Sequence, residues 1–331
     1  MKFTKNYFGK FFLVVVIVVL LCCIIIKPST YMQATYKGIV VWATCVLPAL
    51  FPFFFLTTLL CELNVVDKLA ALTKKPLQKL YNVSGKASIV YLMSIISGYP
   101  IGAKLISELQ KNRQISKAEC LRMHAFCSTS GPIFIVGTVG STMFANHKIG
   151  LIILGVHLLG SALNGILYRH TDLNKQNIQN AIYTPIQKVD NLLRKTIYQS
   201  VISVLIVGGY IALAFLFCEF LIDSKILNIL CIPLDIILNL FNISPHFSVC
   251  IVLGITEITR GCLELSSLFL AYPKLVFIIS CGLISFGGIS VMLQSMTYLS
   301  KCGISTKTYF LQKTTQTTIT MLIAFIVSFL I

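Results

Sequence analysis

The chain has 331 residues, 56% hydrophobic and only 11% charged, with a mean hydropathy of +0.86. Soluble domains carry about 25% charged residues, so a soluble enzyme is excluded. Lys and Arg number 27 against 11 Asp and Glu, for a net charge of +16, and in a chain this apolar such an excess belongs to cytoplasmic loops rather than to a nucleic-acid surface. Apolar stretches near the ~20 residues needed to cross a bilayer recur along the chain, which predicts an all-α polytopic membrane protein rather than a barrel or a peripheral anchor.

In chain order, Lys2, Lys5 and Lys10 precede the apolar run 11–26. No small-residue cleavage site follows it, so residues 1–37 are read as a retained first span with its N-terminus in the cytoplasm. Further spans are expected at 39–61, 123–145, 149–168, 197–220, 275–297 and 314–331. Two other runs, 87–109 and 247–270, carry Gly, Pro or ionisable residues at their centres and are read as re-entrant hairpins. With both hairpins re-entrant, 21 of the 27 basic residues fall before the first span or in 68–86, 104–122, 169–195 and 301–313, all on the inner side; 6 fall outside. The stretch 169–196 is then a basic cytoplasmic linker. The twelve cysteines are scattered, lack a C-x-x-C pair and read as small hydrophobes.

Sliding the chain on itself by about 159 residues aligns Gly102 with Gly261, and at nearly the same offset Ser128 with Ser285 and Ser130-Gly131 with Gly287-Gly288. Two repeats are expected, 38–168 and 197–331. Each has a span broken by helix-perturbing residues (Pro48 and Pro52; Gly208-Gly209), an amphipathic connector (64–82; 225–242), a polar-tipped hairpin, a Ser/Gly-rich span and a plain closing span. Under the charge distribution the two broken first spans run in opposite senses, so the repeats are inverted, an architecture of secondary transporters.

Candidate solute-binding residues cluster in these hairpins and Ser/Gly spans. In Ser97-Gly98-Tyr99-Pro100-Ile101-Gly102-Ala103-Lys104, glycines and proline free backbone N–H groups that can point at an anion. Lys104 is either a counter-charge or snorkels to the interface. Glu257, Arg260 and Glu264 fall on one face if the helix is continuous there, and ionisable groups at this depth must be paired or face water. They form either a self-satisfied cluster or a site in which Arg260 meets an anion and Glu257 serves a coupling ion, with Thr259 and Gly261 beside them. Ser128, Thr129, Ser130, Gly131 and Asn164, and Ser285, Gly287, Gly288, Ser290 and Gln294, are hydrogen-bonding or close-packing positions. H-E-x-x-H, G-x-S-x-G and P-loop motifs are missing, so intramembrane hydrolysis and ATP-driven pumping lack their residues.

The segments L-P-A-L-F-P-F-F within 42–55, S-G-Y-P-I-G-A-K-L (97–105), N-R-Q-I-S-K-A-E (112–119), G-I-T-E-I-T-R-G (254–261) and S-F-G-G-I-S-V-M-L-Q (285–294) together resemble the YlbJ-type sporulation integral membrane proteins, which carry the Gate, or nucleoside-recognition, domain. Where the family pattern has Asn in S-G-N-P this chain has Tyr99, and S-T-S-G at 128–131 replaces an Asn-containing run. The resemblance implies a role in spore formation, an architecture related to concentrative nucleoside transporters, and a cargo of the dipicolinate type, a small aromatic dicarboxylate. The expected function is therefore a secondary carrier of a small anion in the cytoplasmic or forespore membrane, with no cofactor beyond a coupling H+ or Na+. Expected partners are the bilayer and other copies or other sporulation membrane proteins. The alternatives are a nucleoside or nucleobase carrier and a non-transporting membrane scaffold.

Overall fold

A computed structural model describes residues 3–63, 65–171 and 192–330, and every element among them is helical. Among the described residues, four stretches are long and apolar enough to cross a bilayer: Pro28–Leu60, His147–Leu167, Leu192–Asp223 and Pro273–Cys302. Leu21 and Ile25 near the N-terminus, Leu213 in the third of these stretches and Ile236 and Leu322 elsewhere are exposed, as a lipid-facing surface requires. The linker expected at 169–196 falls for most of its length, 172–191, outside the described residues.

The chain opens with α1 (Phe3–Ile26), then α2 (Pro28–Val41), a π-helical turn (Trp42–Val46) and α3 (Leu47–Glu62). Pro48 and Pro52 were expected to break this span, but the helix runs through both. A proline removes one helical N–H and crowds the preceding turn, and the wider turn at Trp42–Val46, immediately before them, re-registers the ladder. Gly208-Gly209 likewise leave α9 (Leu192–Asp223) unbroken. A methyl group on Gly208 would stand 2.6 Å from the Trp42 indole, so Gly208 is there to let two helices approach.

After α3 come α4 (Val65–Tyr81), α5 (Ala87–Ser97), α6 (Ile101–Lys111), α7 (Lys117–Cys127), a π-helical segment (Ile133–Met143) and α8 (His147–Leu167). After α9 come α10 (Ile226–Leu240), α11 (His246–Thr256), α12 (Ile258–Ser266), α13 (Pro273–Phe286), α14 (Gly288–Leu299) and α15 (Thr306–Val327). The two series match element for element: α4 with α10, α5 with α11, α6 with α12, α7 with α13, the π segment with α14, and α8 with α15. Their starting residues lie 155 to 161 positions apart, and even the internal prolines of α4 and α10, Pro76 and Pro233, keep this spacing.

Two expectations need correction. The Ser/Gly stretches 123–145 and 275–297 are not single unbroken helices: α7 ends at Cys127, and α13 ends at Phe286, where Gly287 and Gly288 both take positive φ, although the second stretch lies within the apolar run Pro273–Cys302. The closing helix α15 is also not plain. It starts at Thr306 rather than at 314 and buries Tyr309, Gln312, Lys313, Gln316 and Thr320 along one stripe. Lys313, counted above with the cytoplasmic basic residues, lies in the protein interior.

The halves interleave. One core joins the π segment and α8 of the first series to α11–α13 of the second through Phe134, Ile135, Ile153, Phe247, Cys262 and Phe277. Another joins α4–α7 to the end of α14 and the start of α15 through Tyr81, Ile106, Met123, Leu299 and Tyr309.

Candidate functional site

The two hairpins are helix–break–helix units. In the first, α5 stops at Ser97 and α6 starts at Ile101. Gly98 has φ +73° and packs so tightly on the chain at Gly131 that a methyl group would overlap Gly131 N; only glycine meets both demands. In the second, the helix breaks at Glu257. Glu257, Arg260 and Glu264 therefore do not share a continuous helix face. The Glu257 carboxylate folds back as the N-cap of α12, with Oε2 accepting the Arg260 N–H at 2.7 Å and Oε1 accepting the Thr259 hydroxyl at 3.1 Å. A carboxylate at this position satisfies free N–H groups and meets the positive end of the helix dipole, which explains a Glu only 2% exposed.

Both tips open onto one cavity of about 60 Å³. Its walls come in corresponding pairs. Ser97 and Tyr99 from the first tip face Glu257, Ile258 and Thr259 from the second. Ser130, Gly131 and Phe134, at the first Ser/Gly break, are matched by Ser290, Val291 and Gln294 beyond the second. Val46 and Leu50 before the first connector are matched by Val207 and Ile211 of α9.

Of the residues singled out in the sequence, Ser97, Tyr99, Ser130, Gly131, Glu257, Thr259, Ser290 and Gln294 line this cavity. The others stand behind it. Gly102 is pressed against the Cys127 carbonyl and the Ser94 hydroxyl, and Gly261 against the backbone of Gly254, so each hairpin's arms are held close. Gly288 lies against Ile258 and the Gly254 carbonyl, and Gly287 beside the Tyr99 ring. The Thr129 hydroxyl donates to the Ser94 carbonyl at 2.8 Å, and Asn164 donates to the Ala125 carbonyl at 2.8 Å. Lys104, half-buried on α6, is not a wall residue. Nor is Arg260: its guanidinium pairs with Glu264 at 2.7 Å and covers the Phe215 ring at 5.3 Å.

Two interior residues were missed. His157 joins the two Ser/Gly breaks: its Nε2 accepts the Ser130 N–H at 3.0 Å, so its Nδ1 carries the proton and donates to the Ser285 hydroxyl at 2.8 Å, which donates to Thr320 at 3.1 Å. Lys313 is 1% exposed. Its ammonium donates to the Tyr99 hydroxyl at 2.7 Å, the Ser128 carbonyl at 3.0 Å and Gln316 Oε1 at 2.7 Å. The signal for Lys313 was present in the sequence, since Gln312, Lys313, Gln316 and Thr320 recur at helical spacing; starting the last span at 314, eight residues after the helix begins, hid it.

Residues 43–144, which contain the first hairpin and the first Ser/Gly break, match the family model described as nucleoside recognition, Gate. The sporulation integral membrane protein YlbJ of Bacillus subtilis (strain 168) is 27% identical over 308 residues, covering 87% of this chain and 75% of that protein. No solved structure matches the chain.

Proposed function

We propose that this protein is a secondary membrane transporter of a small aromatic dicarboxylate, of the dipicolinate type, acting during spore formation. The observation that carries the transporter reading is the pairing of the cavity walls: hairpin tip, post-break helix and first-helix segment each contribute from both halves of the chain. A site between two equivalent halves, set at interrupted helices, lets the halves exchange inward-open and outward-open shapes around bound solute. In this reading the halves are inverted and the hairpins re-entrant, with solute entering from one side and leaving at the other. The likeness to a sporulation membrane protein supports the setting, and the aromatic dicarboxylate follows from the family resemblance.

The walls suit such a solute. Phe134, Ile258, Val291 and the Tyr99 ring bound a flat ring, while the Ser97, Ser130, Tyr99 and Ser290 hydroxyls and the Gln294 amide offer donors to carboxylate oxygens. Glu257 spends its charge on the start of α12 and faces the cavity as a capped group. A nucleoside carrier is the second reading, favoured by the family model's description and by the lack of a cation among the wall residues.

The test is uptake of labelled dipicolinate and of a nucleoside into vesicles holding the purified protein, with imposed H+ or Na+ gradients. Dipicolinate uptake that responds to one gradient supports the proposal and names the coupling ion. Nucleoside uptake alone replaces the cargo, and uptake of neither leaves the scaffold role.

A further inference from the structure

The buried Lys313 ammonium has three acceptors, and all three are neutral: a phenol, a backbone carbonyl and a side-chain amide. Transferring an ammonium from water to such a place is costly unless negative charge accompanies it. The end of α7 supplies part of this, because Ser128 is its C-cap residue and a helix C-terminus carries partial negative charge. Among the described residues no carboxylate pairs with it.

Donors also outnumber acceptors around it. Gln316 must turn its oxygen to the lysine, which leaves its buried NH₂ group without an acceptor. The Tyr99 hydroxyl, having accepted from Lys313, reaches only the Ile284 and Ser285 carbonyls, at 3.5 and 3.4 Å, distances at which a hydrogen bond is weak. Tyr99 is at the same time a cavity wall. A single hydroxyl thus separates a buried cation from the solute space, with its own proton poorly used.

We propose that Lys313 is the specificity-determining cation of the site, acting through the Tyr99 hydroxyl to select a solute bearing a carboxylate; this rests on the transporter reading above. A carboxylate accepts hydrogen bonds and donates none. Placed in the cavity it accepts a hydrogen bond from the Tyr99 hydroxyl, which keeps its proton, and the Lys313–Tyr99 bond, polarised by the charge it then faces, strengthens along the chain. Arg260, which looked like the counter-charge in the sequence, is already engaged with Glu264.

Uptake of dipicolinate and of its uncharged diamide, measured on vesicles matched for protein content, separates this role from a structural one. Lys313→Gln should raise the KM for the dicarboxylate by roughly tenfold or more, the scale of a lost hydrogen bond to a charged group, and leave uptake of the diamide unchanged or higher. Tyr99→Phe, which keeps the lysine and removes the relay, should show the same selective loss, and Lys313→Arg should recover part of it. Equal loss for both solutes, or normal dicarboxylate uptake by Lys313→Gln, would overturn the proposal. If the wild-type protein carries another aromatic carboxylate and not dipicolinate, the cargo assigned above is wrong, while selective loss of that acid in Lys313→Gln still upholds the role of the lysine. A wild-type protein that carries only uncharged solutes overturns both.

Discussion

Glu257 owes its burial to its own helix. Its carboxylate takes the Arg260 N–H and the Thr259 hydroxyl, and removing it would strand both donors in the interior. Glu257→Ala should therefore lower stability by about 1 to 3 kcal/mol, read as a lower unfolding temperature in detergent, and Glu257→Asp, a strong N-cap with a shorter reach, should keep part of it. Gly98 is constrained twice, by φ +73° and by contact with Gly131. Gly98→Ala should cost at least about 1 to 3 kcal/mol from backbone strain alone and displace the tip that carries Tyr99, so uptake should fall further than abundance. Equal losses of uptake and abundance would show that the tip's position does not matter to the solute.

At the scale of elements, a recurring device is a helix interrupted where another backbone comes close. The Ser/Gly stretches show why only part of this was legible. Gly287-Gly288 and Ser128-Thr129-Ser130-Gly131 were recognised as special, but small polar residues serve both for packing and for breaks. Contacts at Ser97–Gly98 and at Ile258, distant in sequence, are what turn these stretches into breaks. The reverse holds for Gly208. Its neighbour Trp42 lies on another helix, so a residue that reads as a helix breaker is a packing glycine. Gly208→Val should destabilise by about 1 to 3 kcal/mol through overpacking, and Trp42→Leu in the same chain should restore part of the loss. Additive losses in the double variant, measured by thermal unfolding, would place the damage elsewhere.

For the whole molecule, the interleaved cores mean that neither half buries its own apolar surface: α14 completes the first half's core and the Ile133–Met143 segment completes the second's. The cavity takes its walls from both halves. Ser290→Trp, which puts a large side chain on one cavity wall, should abolish uptake with abundance near wild type, whereas the same change at Leu322, exposed on the outer face of α15, should alter neither. Loss of transport from the Leu322 variant would argue that the outer surface, rather than the cavity, limits function.

Composition together with the length of the apolar runs was enough to establish a helical membrane chain, because so few charges combined with repeated runs near the ~20 residues that cross a bilayer are not the pattern of a soluble domain, and element order was readable because hydropathy and the spacing of Gly, Ser and Pro are local properties of the sequence. The hairpin breaks at Gly98–Pro100 and near Glu257 could be found for the same reason. Which polar residue meets which was decided only by the tertiary structure. Arg260 and Lys313 are both basic residues next to apolar runs, and sequence favoured Arg260 because its acidic neighbours made it conspicuous. Only the packing of α15 against α8 and α13, which brings Lys313 to Tyr99, 214 residues away, puts Lys313 behind the cavity, while Arg260 pairs with Glu264. Such a contact depends on how helices from the two halves interdigitate, and no local pattern of residues encodes that.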